Sequence, residues 1–265
     1  MSFVSVDFER EAFVFRMPDG LPVYTHYSFL FTAMIVTAPL WFQGRLSSIV
    51  IALALAVVLF LSILAHELGH VVAARAQQAR ARSIEIGLFG GLANLEWDFR
   101  AIAMRRVALA GPVVNLGLAG AFFALYWLVA QYGAAEAPRS VAPFEAPAIL
   151  SRTLLLASIL NLGLGLLNLL PAFPLDGGTI AQDLLGERLG NRRATLIVGI
   201  CGLVLTGIGT IVGLAMLLVG TPIFAPLSFR QNWRAIVENW RGGPRQPPKT
   251  SAFAKSSKVV TFRPR

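Results

Sequence analysis

Five stretches between Tyr24 and Phe229 carry no Asp, Glu, Lys or Arg: Tyr24–Gly44, Leu46–Ala65, Val107–Ala135, Thr153–Leu175 and Ala194–Phe229. About 20 apolar residues suffice for a helix to cross a bilayer, so each stretch can supply a crossing. The fold class that follows is an all-α polytopic membrane protein. Composition agrees: 55% of residues are hydrophobic, 14% are charged and mean hydropathy is +0.65, well away from soluble domains.

The first four stretches are read as one pass each, the second continuing as helix to about Ala74. The fifth would reach roughly 54 Å as one straight helix, against a hydrocarbon core about 30 Å thick. Thr221-Pro222 and Pro226 interrupt it, and Gly199, Gly202, Gly207, Gly209, Gly213 and Gly220 permit turning or close packing. It is therefore read as a hairpin of two short passes, which gives about six transmembrane helices. Charge asymmetry sets the orientation. Arg75, Arg80, Arg82, Arg100, Arg105 and Arg106 lie between the second and third passes, and the tail from Arg230 holds nine basic residues against one acid, Glu238. Both segments should be cytoplasmic, which requires an even number of passes between them and puts both termini inside.

Residues 1–23 hold more acid than base and lack the apolar core and cleavage site of a secretory signal. Alternation over Phe3–Met17 fits a short amphipathic strand or hairpin at the membrane surface, and Ile84–Trp97, alternating around Gly90-Gly91, also reads as strands. A small membrane-associated β element is thus expected beside the helices. The chain divides into an N-terminal cytoplasmic segment (1–23), a transmembrane core (24–229) and a basic cytoplasmic tail (230–265). That tail is read as mostly disordered after an interfacial helix at Phe229–Trp240. The net charge of +9 gathers in these cytoplasmic segments, which suits topology and anionic lipid rather than nucleic acid. A lone cysteine, Cys201, rules out a disulfide framework and reads as a small packing hydrophobe.

Against this apolar background stands His66-Glu67-Leu68-Gly69-His70. On a helix His66 and His70 share a face one turn apart, which suits two ligands of one zinc ion, with Glu67 beside them. Unpartnered imidazoles and a carboxylate would be costly among Leu, Ile and Val in lipid, so the run reads as a site. A catalytic zinc usually takes three protein ligands and keeps one position for water. The third is either His26 or a carboxylate, and Asp176 is the strongest carboxylate. It sits where Pro171, Pro174, Gly177 and Gly178 break the end of the fourth pass, and irregular backbone at membrane depth is tolerated only where protein or a watery cavity surrounds it. In the topology above, His66, His70 and Asp176 all fall near cytoplasmic helix ends.

At this point the chain resembles the site-2 protease family of intramembrane zinc metalloproteases (peptidase family M50). The resemblance rests on HELGH at 66–70, NLLPAFPLDGG at 168–178, Ala110-Gly111-Pro112-Val-Val-Asn115 and Gly90-Gly91, and covers roughly residues 20–215. It implies one zinc ion held by His66, His70 and Asp176, with Glu67 as general base and acid. Asn115 and Asn168 match polar positions near the family's active site, and each suits interhelical hydrogen bonding equally well. The loop Gln131–Arg152 is too short for a PDZ domain, and the tail after Phe229 too short for paired CBS modules.

The function expected is hydrolysis of peptide bonds in transmembrane segments of membrane protein substrates, in regulated intramembrane proteolysis. The strands around Gly90 and Gly91 would pair with an unwound substrate, or form a plain surface hairpin. The partners expected are a transmembrane protein and membrane lipid, and the setting is a prokaryotic plasma membrane. Alternatives are a divalent-metal transporter, disfavoured because the polar residues cluster near one side of the membrane, and an inactive membrane scaffold, which no residue favours.

Overall fold

A computed structural model describes residues 4–88, 90–96, 104–136, 146–218 and 229–240. The elements run β1 (Val4–Asp7), β2 (Ala12–Arg16), β3 (Pro22–His26), α1 (Phe29–Trp41), α2 (Leu46–Arg75), β4 (Arg80–Gly87), β5 (Gly90–Glu96), α3 (Met104–Glu136), α4 (Ala146–Asn168), α5 (Asp176–Leu189), α6 (Asn191–Leu218) and α7 (Phe229–Trp240). Among the described residues, four helices are long and apolar enough to cross a membrane: α2, α3 to Gln131, α4, and α6 to Gly213. Large side chains stay exposed along them, among them Leu53, Val57 and Leu61 on α2 and Ile200, Val204 and Ile208 on α6. Patches of this extent are unfavourable in water and match lipid instead.

The strands form one sheet in the order β1-β2-β3-β4-β5, antiparallel except for the parallel pair β3–β4. Period-two alternation puts Val23, Ile84, Ile86, Ala93 and Leu95 on the buried face, in one cluster with Leu59, Ile63, Val71 and Ala74 of α2. The sheet therefore lies over the last four turns of α2, which contain the HELGH sequence. Gly90, with φ of 104°, closes the β4–β5 hairpin in a conformation that favours glycine.

Two of the expected passes are revised. Tyr24–Gly44 is not one crossing: its first residues complete β3, paired with β2 and β4, and α1 keeps only 13 residues, including Pro39, or roughly 20 Å at 1.5 Å per residue. The boundary drawn at residue 23 accordingly falls inside a strand. The stretch Ala194–Phe229 does not turn at its early glycines, since α6 is one helix of 28 residues. Glycine breaks a membrane helix poorly because the intrahelical hydrogen bonds persist, and here Gly199 and Gly202 instead admit α7 close against α6. The prolines at 222 and 226, Trp97, and the disorder expected after Arg241 lie outside the described residues.

α7 runs back along α6. Arg192 at the start of α6 donates from Nε and Nη2 to the carbonyls of Asn239 and Trp240 at 2.7 and 3.1 Å, while Asn232 packs beside Gly202. The end of α7 thus lies level with the beginning of α6.

Candidate metal centre

Two stripes on α2, each repeating at four residues, bring different groups to one turn. Leu59, Ile63, Glu67 and Val71 face the sheet, whereas Ser62, His66 and His70 face α3 and α5. α4 ends at Asn168 because Pro171 and Pro174 cannot continue it, and a short irregular segment leads to α5, whose first residue is Asp176.

Asp176 meets both histidines. Its Oδ2 lies 3.1 Å from His66 Nε2, its Oδ1 lies 3.4 Å from His70 Nε2, and the two Nε2 atoms are 3.1 Å apart. All three residues are buried. One donor atom from each lies within 4.8 Å of the others, a cluster able to hold a metal ion.

Hydrogen bonding fixes how the rings present themselves. His70 Nδ1 lies 2.8 Å from the Val107 carbonyl, which only accepts, so the proton sits on Nδ1 and the Nε2 lone pair faces inward. For His66 the assignment follows a chain of amides. Asn161 donates through Nδ2 to the Ala157 carbonyl at 2.9 Å, which turns its Oδ1 towards Asn115 Nδ2 at 3.1 Å. Asn115 then offers Oδ1 to His66, 2.5 Å from Nδ1, and Nδ1 must donate. Two nitrogen lone pairs and a carboxylate converge on one point, an arrangement that repels internally and is reconciled by a shared cation. Gly111 of α3 leaves the room: a Cβ there would stand 2.5 Å from His70 Nε2 and 2.6 Å from His66 Nε2.

Glu67 points the other way, towards β5. Its buried Oε2 has no hydrogen-bond partner among the described residues, and a Cβ on Gly91 would collide with the carboxylate. A cavity of about 330 Å³ opens beside it, lined by Glu67, the three-residue cluster, Asn115, Asn168, Gly90 and Gly91, with Thr32 and Ile35 of α1 opposite. Asn168 donates to the Leu164 carbonyl at 3.0 Å from its place on that wall.

His26 is not brought to the cluster. It ends β3, where sheet pairing fixes it, and its Nδ1 bonds the Arg10 carbonyl at 3.0 Å. Two participants were missed by sequence reasoning. Asn161, 0% exposed, was detectable as an amide inside an apolar pass, where it must find a partner. Thr32, which donates to the Leu88 carbonyl at 2.6 Å and ties α1 to the hairpin, has no such signal.

A family model for peptidase family M50 matches residues 54–208, more than half of the chain. The chain belongs to peptidase family M50. The M50 match contains α2 from residue 54 onward and all of α3, α4 and α5, and hence His66, Glu67, His70 and Asp176. Among relatives, the chain is 36% identical over 153 residues to a protein of Synechocystis sp. named "Putative zinc metalloprotease", covering 56% of this chain and 36% of that one. It is 27% identical over 203 residues to a zinc metalloprotease of Methanocaldococcus jannaschii, covering 76% and 51%. The matches thus span about a third to a half of the length of these relatives. In structure this M50 member is similar to the site-2 protease from Methanocaldococcus jannaschii, with a TM-score of 0.56 and 20% identity over 96% of this chain and 100% of that one.

Proposed function

We propose that this chain is an intramembrane zinc metalloprotease, in which His66, His70 and Asp176 hold the ion and Glu67 is the general base. One observation carries the reading: His66 Nε2, His70 Nε2 and the two carboxylate oxygens of buried Asp176 converge at 3.1–3.4 Å, beside a Glu67 carboxylate whose Oε2 has no hydrogen-bond partner among the described residues. Ligands about 2.0–2.1 Å from a tetrahedral zinc stand roughly 3.3 Å apart, which matches this spacing. Bound zinc supplies Lewis acidity and lowers the pKa of coordinated water.

The protein's own groups do the rest. Asn115 and the Val107 carbonyl hold both imidazoles with Nε2 forward. Glu67, held against Gly91, takes a proton from the attacking water and returns it to the leaving amine. The apolar walls of the cavity limit the water that reaches the reacting peptide bond.

Strand β5 ends the sheet beside this cavity, with Gly90 and Gly91 in its wall. An unwound transmembrane segment would add there as a sixth strand and lay a peptide bond near Glu67. The substrate class is therefore a membrane protein whose helix can open locally. The basic loop after α2 and the end of α7 lie on the cytoplasmic side, as the return of α7 along α6 supports.

The test is cleavage of a transmembrane reporter in vesicles by wild type and by Glu67→Gln. The variant should retain one zinc per chain and lose cleavage. Transport of a divalent cation without cleavage, or equal activity of both proteins, would refute the reading.

A further inference from the structure

Asn232 lies outside the M50 match and outside the metal cluster, yet it is 0% exposed on an otherwise half-exposed helix. Its side-chain amide bonds both backbone groups of one residue: the Phe173 N–H donates to Oδ1 at 3.0 Å, and Nδ2 donates to the Phe173 carbonyl at 2.7 Å. Phe173 stands three residues before Asp176, in the irregular segment between α4 and α5.

Within the segment the Ala172 and Leu175 N–H groups bond the Leu170 and Ala172 carbonyls, and Pro171 and Pro174 contribute no N–H, so it is the backbone of Phe173 that Asn232 serves. A buried backbone group without a partner costs about 1–3 kcal/mol, so an amide that serves two of them at once selects one position of the segment. The molecule is shaped to admit it. A Cβ on Gly202 would collide with the Asn232 amide, and one on Gly199 would fall 3.1–3.4 Å from Ile236, Asn232 and Ala235. α7 is held at its other end by Arg192, so Asn232 is presented from a fixed helix.

We propose that Asn232 is a positioning residue for the metal site: through Phe173 it fixes the segment that carries Asp176, so that α7 sets the affinity for the ion. The proposal rests on the assignment of Asp176 as a ligand. Asn232 touches neither the ion nor the reacting atoms, and acts only through the backbone before Asp176.

The experiment measures zinc affinity of the full chain in detergent by chelator competition, in a double-mutant cycle of Asn232→Leu and Asp176→Asn. Leucine keeps the buried volume and removes both hydrogen bonds. Groups that orient a ligand typically change metal affinity by about 10- to 100-fold, so Asn232→Leu should weaken zinc roughly tenfold in the wild-type background. It should have no further effect once Asp176 is Asn, because the residue it positions is gone. In the metal-free state the substitution should lower Tm by the same amount in both Asp176 backgrounds, which separates loss of stability from loss of zinc affinity. Should Asn232→Leu fold poorly, Asn232→Ser, too short to reach both groups of Phe173, carries the same comparison. Wild-type zinc affinity in a folded variant, or the same loss in both backgrounds, overturns the proposal while leaving the protease reading intact. A wild-type chain that binds no zinc overturns both.

Discussion

Asn115 and His66, 49 residues apart in sequence, meet through a 2.5 Å hydrogen bond in which the amide oxygen accepts from Nδ1. Replacing Asn115 by Leu removes the acceptor and lets the ring adopt the tautomer with its proton on Nε2, which cannot ligate. Zinc affinity should fall by about 10- to 100-fold, as chelator competition would measure. Unchanged affinity would mean that the ring is oriented by something else.

Gly111→Ala isolates the steric role of α3. Alanine is a better helix former than glycine by about 1 kcal/mol, so helical content should hold or rise. The new methyl would nonetheless lie 2.5–2.6 Å from both Nε2 atoms. Circular dichroism should be unchanged while zinc stoichiometry drops towards zero.

Much of this site was legible in the sequence for physical reasons. His66, Glu67 and His70 are conspicuous because ionisable groups in an apolar helix are expensive, and Asp176 because prolines and glycines break a pass just before it. The strands at 84–96 announced themselves by alternation. The length of α1 did not: the uncharged run Tyr24-Thr25-His26-Tyr27-Ser28 suits a strand as well as the start of a helix, and only pairing with β2 and β4 decides between them. Asn232 lies in a polar helix where an Asn is unremarkable, so its bonds to Phe173 emerge only once α7 folds back along α6.

Asp19 pairs with Arg75 at 2.5 Å, tying the turn before β3 to the end of α2. The Arg75 guanidinium and the Leu21 N–H hold the carboxyl below its ordinary value of 3.8. A depressed folded value means stability that is present above the unfolded pKa and lost as pH falls through the folded one. Both side chains are 43% exposed, so the pair contributes no more than about 1 kcal/mol. Asp19→Asn should lower Tm slightly at neutral pH, and the gap should close in acid below both pKa values.

Gly91→Ala should separate metal binding from chemistry. The three atoms its Cβ would meet first all belong to the Glu67 side chain, so the carboxylate is what it displaces. A misplacement of about 1 Å at a catalytic group can cost around 100-fold in rate. Zinc content should stay at the wild-type level while kcat for a transmembrane reporter falls by about that factor. Loss of zinc together with activity would show that β5 supports the metal cluster rather than Glu67 alone.

Asn161 gives the most discriminating test of how the imidazoles are set, because it touches neither histidine. Its Nδ2 is committed to the Ala157 carbonyl, which leaves only its oxygen for Asn115. In Asn161→Leu, Asn115 Nδ2 keeps the Ser62 carbonyl at 3.4 Å, a weak hold, and the amide is free to flip. A flipped Asn115 would offer N–H to His66 Nδ1, which favours a proton on Nε2 and blocks ligation. Zinc affinity should therefore fall, though by less than in Asn115→Leu, because the unflipped amide remains accessible. Combined with Asn115→Leu, the Asn161 substitution should add almost nothing, since residues in one hydrogen-bonded chain are not independent. Two full and additive losses would mean that Asn161 acts through α3–α4 packing and not through the orientation of His66.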